Sequence, residues 1–521
     1  MERDEPAHRD HADVRVEIDG PDEAHGPDDA DGPDGLDDLE QEREPAGTER
    51  AHKPGEVDAP GLWGRLIASD VRRAPVGRRY VLSWPMQAGL VVAAVGAMAR
   101  LWQLMGRDPL WWGDSDDYLA TAQSSWFSLG LWAGERPPAV PVALKLVGGE
   151  DAGFVYLQVA LAVGAWAALA ASVATVLPAD RRGWLAVGAV VVASLATPVT
   201  MWERSVLSES LAMSCLVLML AASIQLARRV TGWRVAIFLA ALAGWLTVRD
   251  SHASVAMAVA VAFAVWFAVG RSRFDRQRAV LAAGVVVLAA VAMASATHGH
   301  RYSFPLRNVF AARILPYPDR VEWFADHGMP QAEAFADTVV PEEPGEPPIR
   351  WVGEDDPALQ DWVAWVDSDG RQAFVRWMLT HPDYLLVEPW REPERTFNDA
   401  DGDRSFYAPL DMRTIALVTG LSFPPRAVAV VLAVAAGAWA VHRRRWRSPL
   451  FVVGVACAAL AAPHGLLSWH SDAMEAARHL VVPVVQFHLG VLLMVAGALL
   501  SDPQPPDEAE PTSDTVTAAS G

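Results

Sequence analysis

Ten apolar runs, each near the length of a membrane crossing, decide what this chain can become. They cover 82–102, 153–177, 184–201, 206–227, 233–249, 252–269, 279–297, 424–441, 448–468 and 479–500. A helix needs about 20 mostly apolar residues to cross the hydrocarbon core. Inside that core only helices or closed barrels satisfy their own backbone groups. The runs therefore predict an all-α polytopic membrane protein with about ten transmembrane helices.

Arginine placement orients the runs. Arg72, Arg73, Arg78 and Arg79 precede the first run. Alternate loops then carry Arg181 and Arg182; Arg228, Arg229 and Arg234; Arg271, Arg273, Arg276 and Arg278; and Arg443, Arg444, Arg445 and Arg447. The positive-inside rule makes that side cytoplasmic. Both termini then lie inside, and the expected location is the plasma membrane, crossed many times. Sixty polar residues precede the first run, so we expect an uncleaved anchor and no cleavable signal peptide.

A net charge of -20 and 52% hydrophobic residues conflict in a soluble globule. Segregation reconciles them, with acidic ends and loops around apolar runs. Residues 1–60 hold 21 acidic and 6 basic side chains and few large apolar ones, too few to offset chain entropy. The predicted organisation is a disordered acidic cytoplasmic tail (1–78) and a membrane bundle (79–297) whose first outer loop is 103–152. An extracytoplasmic loop module (298–423), C-terminal membrane helices (424–500) and a second disordered tail (501–521) follow. Cys215 and Cys457 both sit in apolar runs, which gives no disulfide framework and no CxxC metal site. No nucleic-acid partner is expected. The 298–423 module carries 22 acidic and 11 basic residues and many tryptophans. Its segment 359–380 has helical spacing, whereas 341–348 and 391–407 read as irregular loops. No internal repeat is visible, which disfavours inverted-repeat transporters.

Four polar groups recur at run ends on the predicted outer face. They are Asp114/Asp116/Asp117, followed by Tyr118; Glu203-Arg204 with Ser208-Glu209; Arg249-Asp250-Ser251-His252; and His464 with the stretch from His470 that holds Asp472, Glu475, Arg478 and His479. Ionisable groups at a membrane edge are costly unless solvated, paired or used. Each also has a plain structural reading. Asp472 and Glu475 suit a helix start, Glu209 can pair with Arg204, and Arg136 can pair with Glu135 or the Asp cluster. Three carboxylates within four positions repel, so one is expected to hold a raised pKa and accept a proton. A carboxylate pair also suits Mg²⁺ or Ca²⁺, and spacing does not separate the two roles, so no metal ligand is assigned. Arg136, Arg249, Arg478 and Lys145 are candidates to bind phosphate. His298, His300 and His470 lack regular metal-ligand spacing.

The run Gly113-Asp114-Ser115-Asp116-Asp117-Tyr118, followed by Gly134-Glu135-Arg136-Pro137-Pro138-Ala139-Val140-Pro141 and Lys145, resembles the first outer loop of GT-C membrane glycosyltransferases. These include protein O-mannosyltransferases and aminoarabinose transferases. The arrangement of spans and the large late loop are similar too, over roughly 80–500. The resemblance implies a polyprenyl-phosphate-sugar donor, an extracytoplasmic acceptor (cell-wall glycan, lipid or protein) and inversion at the anomeric carbon. It implies an acidic base in the first outer loop, here Asp114 first, with Asp116 or Asp117 in support. Family members often carry an Asp-Glu or Glu-Asp pair where this chain has Asp-Ser-Asp-Asp. Metal dependence varies across the superfamily. Competing readings are a transporter or flippase for lipid-linked sugars, an O-antigen-ligase-like enzyme and a non-catalytic membrane scaffold. A flippase should carry charged groups along its path, whereas these runs hold almost none at their centres.

Overall fold

A computed structural model describes residues 82–269, 276–330, 357–391, 416–473 and 476–502. The predicted tail 1–78, most of the tail 501–521, the Pro-rich 341–348 and nearly all of 391–407 lie outside the described residues, as does Glu475.

Every apolar run is helical. The chain begins with α1 (Trp84–Leu104), then α2 (Gly113–Gln123), which carries the three aspartates, and α3 (Ala139–Leu146) just after Arg136. Next come α4 (Asp151–Ala174), α5 (Arg181–Ser194), α6 (Thr197–Arg204), α7 (Glu209–Arg228), α8 (Gly232–Leu246), α9 (Asp250–Val269) and α10 (Arg276–His298). A group of shorter helices follows: α11 (Ser303–Arg313), α12 (Pro318–Ala325), α13 (Gln360–Trp365), α14 (Arg371–Thr380) and α15 (Pro382–Leu386). The chain closes with α16 (Arg426–His442), α17 (Pro449–Ser471) and α18 (Ala476–Leu500). Among the described residues, seven helices are long and apolar enough to cross a membrane, and eight if α5 and α6 count as one span.

The run 184–201 is not one straight helix. α5 and α6 meet at a bend of 57°. The break falls at Ala196, which is extended (φ -66°, ψ 144°), and Pro198 in the first turn of α6 offers no backbone N–H to carry the α5 ladder across it. The run 233–249 also stops early, at Leu246, leaving a helix of 15 residues.

The bundle core packs Trp166, Leu169, Val187, Leu207, Leu216 and Leu246, all nearly inaccessible. α17 and α18 approach closely. β-Carbons at Gly454, Gly490 or Gly497 would collide with the facing helix, the small-residue device by which membrane helices associate. The shorter helices build a second core from Phe310, Phe324, Trp362, Trp365, Phe374 and Trp377. This core accounts for most of the tryptophan surplus in that region. The expected helices over 359–380 are present, with a π-helical turn at Val366–Gly370 between α13 and α14. The second core docks on the end of α17: the Arg313 guanidinium stacks on Trp469 at 3.5 Å, and His470 Nε2–H donates to the Leu385 carbonyl at 2.9 Å.

Candidate functional site

The first polar loop is pinned before any charge is considered. Leu110 pairs with the strand-like stretch at Ser205, and its carbonyl accepts from Val206 N–H at 3.0 Å. Ser115 Oγ–H donates to the Val206 carbonyl at 2.9 Å, while its oxygen receives Trp112 N–H at 3.0 Å and closes the start of α2. Gln158 donates from α4 to the Ser205 carbonyl at 2.9 Å. These bonds fix the first turn of α2 beside the start of α7.

A continuous ion network grows from that turn. Asp114 Oδ2 accepts from Arg478 at 2.7 Å, across 364 residues of sequence, and its Oδ1 lies 3.0 Å from Arg136. Arg136 also pairs with Asp117. Arg478 Nε lies 3.0 Å from Glu209 Oε1, and Glu209 pairs with Arg249. Arg249 Nε donates to Ser208 Oγ at 3.0 Å. Three carboxylates and three guanidiniums thus alternate from the surface, where the Asp117 side chain is 56% exposed, down to Glu209, which is fully buried. Asp114 and Arg136 lie between, at 22% and 27%.

Local electrostatics explain the pairing. Asp114 lies in the first turn of α2 and Glu209 opens α7, where a helix dipole favours anions. Arg478 lies in the first turn of α18, where the dipole disfavours a cation, so the two carboxylates must hold it. Burial pushes the Asp114 carboxyl up, but Arg478 and Arg136 outweigh it and set it at about 2. The expectation that charge crowding raises a pKa in this cluster therefore fails for Asp114. Its nearest charges are arginines rather than its two aspartate neighbours. Burial pushes the Tyr118 phenol up to about 12, so it stays neutral, with Arg136 5.6 Å from its ring centre.

The remaining candidates divide. Asp116 turns away and accepts from the Trp111 indole at 2.9 Å. Lys145 does not reach the network: it donates to the Ala122 carbonyl at 3.0 Å and stands 5.4 Å from the Trp126 ring centre. Asp472 lies 3.3 Å from His479. Glu203 is buried away from the site against Arg100, at 2.7 Å. Glu209 pairs with Arg249 and Arg478, not Arg204, which donates to the Asp108 carbonyl at 2.8 Å. Arg136 takes the Asp cluster as its partner rather than Glu135. Among the described residues no group of three His, Cys, Asp or Glu side chains is arranged to hold a metal ion. Of the three aspartates of α2, Asp114 and Asp117 share Arg136, while Asp116 takes the Trp111 indole.

Sequence reasoning missed Arg301. It grips both Asp250 oxygens at 3.0–3.1 Å and donates to the Gly134 carbonyl at 2.9 Å, two residues before Arg136. The signal was a lone Arg just past the end of the 279–297 run, overshadowed by His298 and His300. Gly299 packs so tightly on Gly134 that a β-carbon there would collide with the Gly134 carbonyl. The middle of α18 is more polar than expected, and three histidines are buried: His252 at the start of α9, His464 in α17 and His488. His252 stacks on Trp245 at 4.0 Å, with His464 edge-on at 5.1 Å. His464 Nδ1–H donates to Gln486 at 2.8 Å, and His488, at the middle of α18, donates to the Pro424 carbonyl at 3.0 Å.

No family model matches this sequence, and no curated protein matches it.

Proposed function

We propose that this chain is a GT-C-like membrane glycosyltransferase that moves a sugar from a polyprenyl-phosphate donor to an extracytoplasmic acceptor. In this reading all ten apolar helices belong to the membrane domain, both termini are cytoplasmic and the ion network faces outward across the plasma membrane. The carrying observation is the Asp114 carboxylate held between Arg136 and Arg478 at the shared end of the helices. Two half-buried to buried guanidiniums, spaced around one anion, suit a phosphate as well as they suit a carboxylate.

The chemistry follows from that exchange. The donor phosphate takes Arg136 and Arg478, and Asp114 loses the cations that hold its pKa near 2. The freed carboxylate then accepts the proton of the acceptor hydroxyl. That oxygen bonds to the anomeric carbon as the carbon–phosphate oxygen bond breaks, with inversion. Polyprenyl phosphate departs, its charge stabilised by the same arginines. Glu209 Oε2 is buried without a hydrogen-bond partner among the described residues, an unmet acceptor suited to a sugar hydroxyl. Arg249 buttresses Glu209, and Tyr118 supplies a neutral wall. A flippase reading needs charge along a path through the bilayer, whereas this network gathers at one end of the helices.

The test is transfer of labelled sugar from a polyprenyl-phosphate donor in membranes. Asp114→Asn is expected to abolish transfer with protein level unchanged; full activity removes Asp114 as the base. Topology reporters at positions 115 and 350 are both expected to score outside, and a cytoplasmic signal at either site overturns the reading.

A further inference from the structure

A second charged surface lies apart from the ion network. An open groove of about 500 Å³ runs between Tyr302 and one face of α14. It is lined by Ser368, Arg371, Gln372, Val375, Arg376 and Leu379. The opposite face of α14, Ala373, Phe374 and Trp377, is buried in the second core. The helix is therefore amphipathic in an unusual sense. Its free face combines two arginines with Val375 at 44% and Leu379 at 75% exposure. Arg371 lies over the Tyr302 ring at 4.8 Å, and among the described residues neither Arg371 nor Arg376 has a carboxylate partner. Asp367, close by, is already neutralised by Arg307 at 2.7 Å. In a protein of net charge -20, two arginines with no carboxylate partner among the described residues stand here beside exposed aliphatic groups.

α17 has 23 residues, about 34 Å of helix, slightly more than the hydrocarbon core. On that length its last turn, with Trp469 and His470, reaches headgroup level. His470 bonds the Leu385 carbonyl, which places α15 at that level. Leu386 and Val387, next in sequence, are 52% and 49% exposed, and Trp390 57%. Exposed aliphatic and indole groups at this depth, in the same short-helix group as Arg371 and Arg376, have the composition of a segment lying in the interface.

We propose that the face of α14 and the turn after α15 form a binding site for an anionic phospholipid of the adjacent leaflet. Arg371 and Arg376 engage the headgroup phosphate, Tyr302 and Gln372 flank it, and Val375, Leu379, Leu386 and Val387 lie along the acyl chains. A soluble anionic glycan would satisfy the arginines but leave those aliphatic groups in water, which favours the lipid. The site is independent of the glycosyltransferase reading.

The experiment uses the full chain reconstituted in vesicles of phosphatidylcholine, with and without phosphatidylglycerol. An environment-sensitive fluorophore on Leu379→Cys is expected to emit to the blue and to be quenched by lipids spin-labelled near the headgroup. The same fluorophore on Asp326→Cys, an exposed position just after α12, serves as the water-facing control. Each arginine is expected to contribute about fivefold to the preference for phosphatidylglycerol, so Arg371→Gln/Arg376→Gln removes that preference. Emission and quenching at Leu379→Cys equal to the control overturn the proposal. So does a lipid response that is the same with and without phosphatidylglycerol in the wild-type arginine background. A blue shift produced by a soluble anionic polysaccharide without lipid contact overturns it in favour of a glycan groove.

Discussion

Two ion pairs lie six residues apart in sequence and have opposite characters. Glu203 meets Arg100 at 2.7 Å with side-chain exposures of 4% and 1%. Arg100 also donates to the Ser194 and Gly96 carbonyls, so the pair is sealed and held locally. Glu209 instead ends a chain of charges that rises through Arg478 and Asp114 to the surface at Asp117. A sealed pair holds the bent end of α6 against α1 and can exchange with nothing. A graded network can swap one anion for another, because part of it meets solvent. Sequence treated Glu203 and Glu209 as equals, since both are acidic residues at a run end. The difference shows that pairing, not residue type, separates a sealed charge from one in a network that reaches solvent.

The comparison can be broken most forcefully at the sealed pair. Glu203→Ala leaves the Arg100 charge buried and unpaired, at a cost of about 3–5 kcal/mol. The folded yield after detergent extraction is expected to collapse, and Arg100→Met/Glu203→Leu to recover much of it. If Glu203→Ala folds normally and loses only activity, the structural assignment fails. A smaller effect on folding but a large one on function is expected at Arg478→Gln. Donor affinity should fall by about 10- to 100-fold, the loss of one charge-assisted contact to phosphate. Unchanged affinity would remove Arg478 from the phosphate site.

Acidity gives a third measurement. A carboxyl held at about 2 rather than 3.8 stabilises the folded chain above pH 3.8, and that contribution is lost as pH falls through about 2. The Tm difference between wild type and Asp114→Asn, followed in detergent, is expected to be constant above pH 4 and to shrink toward pH 2. A difference that vanishes near neutrality contradicts the arginine clamp. Subtler still is Gly299→Ala, which touches no charge. It is expected to push on the Gly134 carbonyl, displace Arg136 and weaken donor binding several-fold at unchanged protein level. Smallest of all is Lys145→Met, which loses an indole contact and one carbonyl bond, about 1 kcal/mol or less, and should leave transfer intact.

The helices were legible because membrane crossing is a property of composition over a window. Twenty apolar residues are apolar whatever packs beside them. Even the bend between α5 and α6 had its signal in Thr197-Pro198. The polar residues at run ends were legible as a set for the same reason, because each interrupts an apolar pattern. Their partners were not. Neighbour-in-sequence logic pairs Glu209 with Arg204, yet Arg204 turns to a carbonyl while Arg249 and Arg478 arrive from other helices. Arg301 went unnoticed because nothing local distinguishes it from any exposed arginine.

The sequence by itself determined that this chain carries long apolar helices of membrane-crossing length, roughly where they lie, and that Asp114, Glu209, Arg249 and Arg478 fall near their ends. Only the tertiary structure decided that these four form one network with Arg136, that Glu203 and Lys145 stand outside it, and that Asp114 carries a lowered rather than a raised pKa. Hydrophobicity is additive along the chain and can be summed from residue types. Coulomb energy depends on distance, and the distance between residues 114 and 478 is set by how the helices pack.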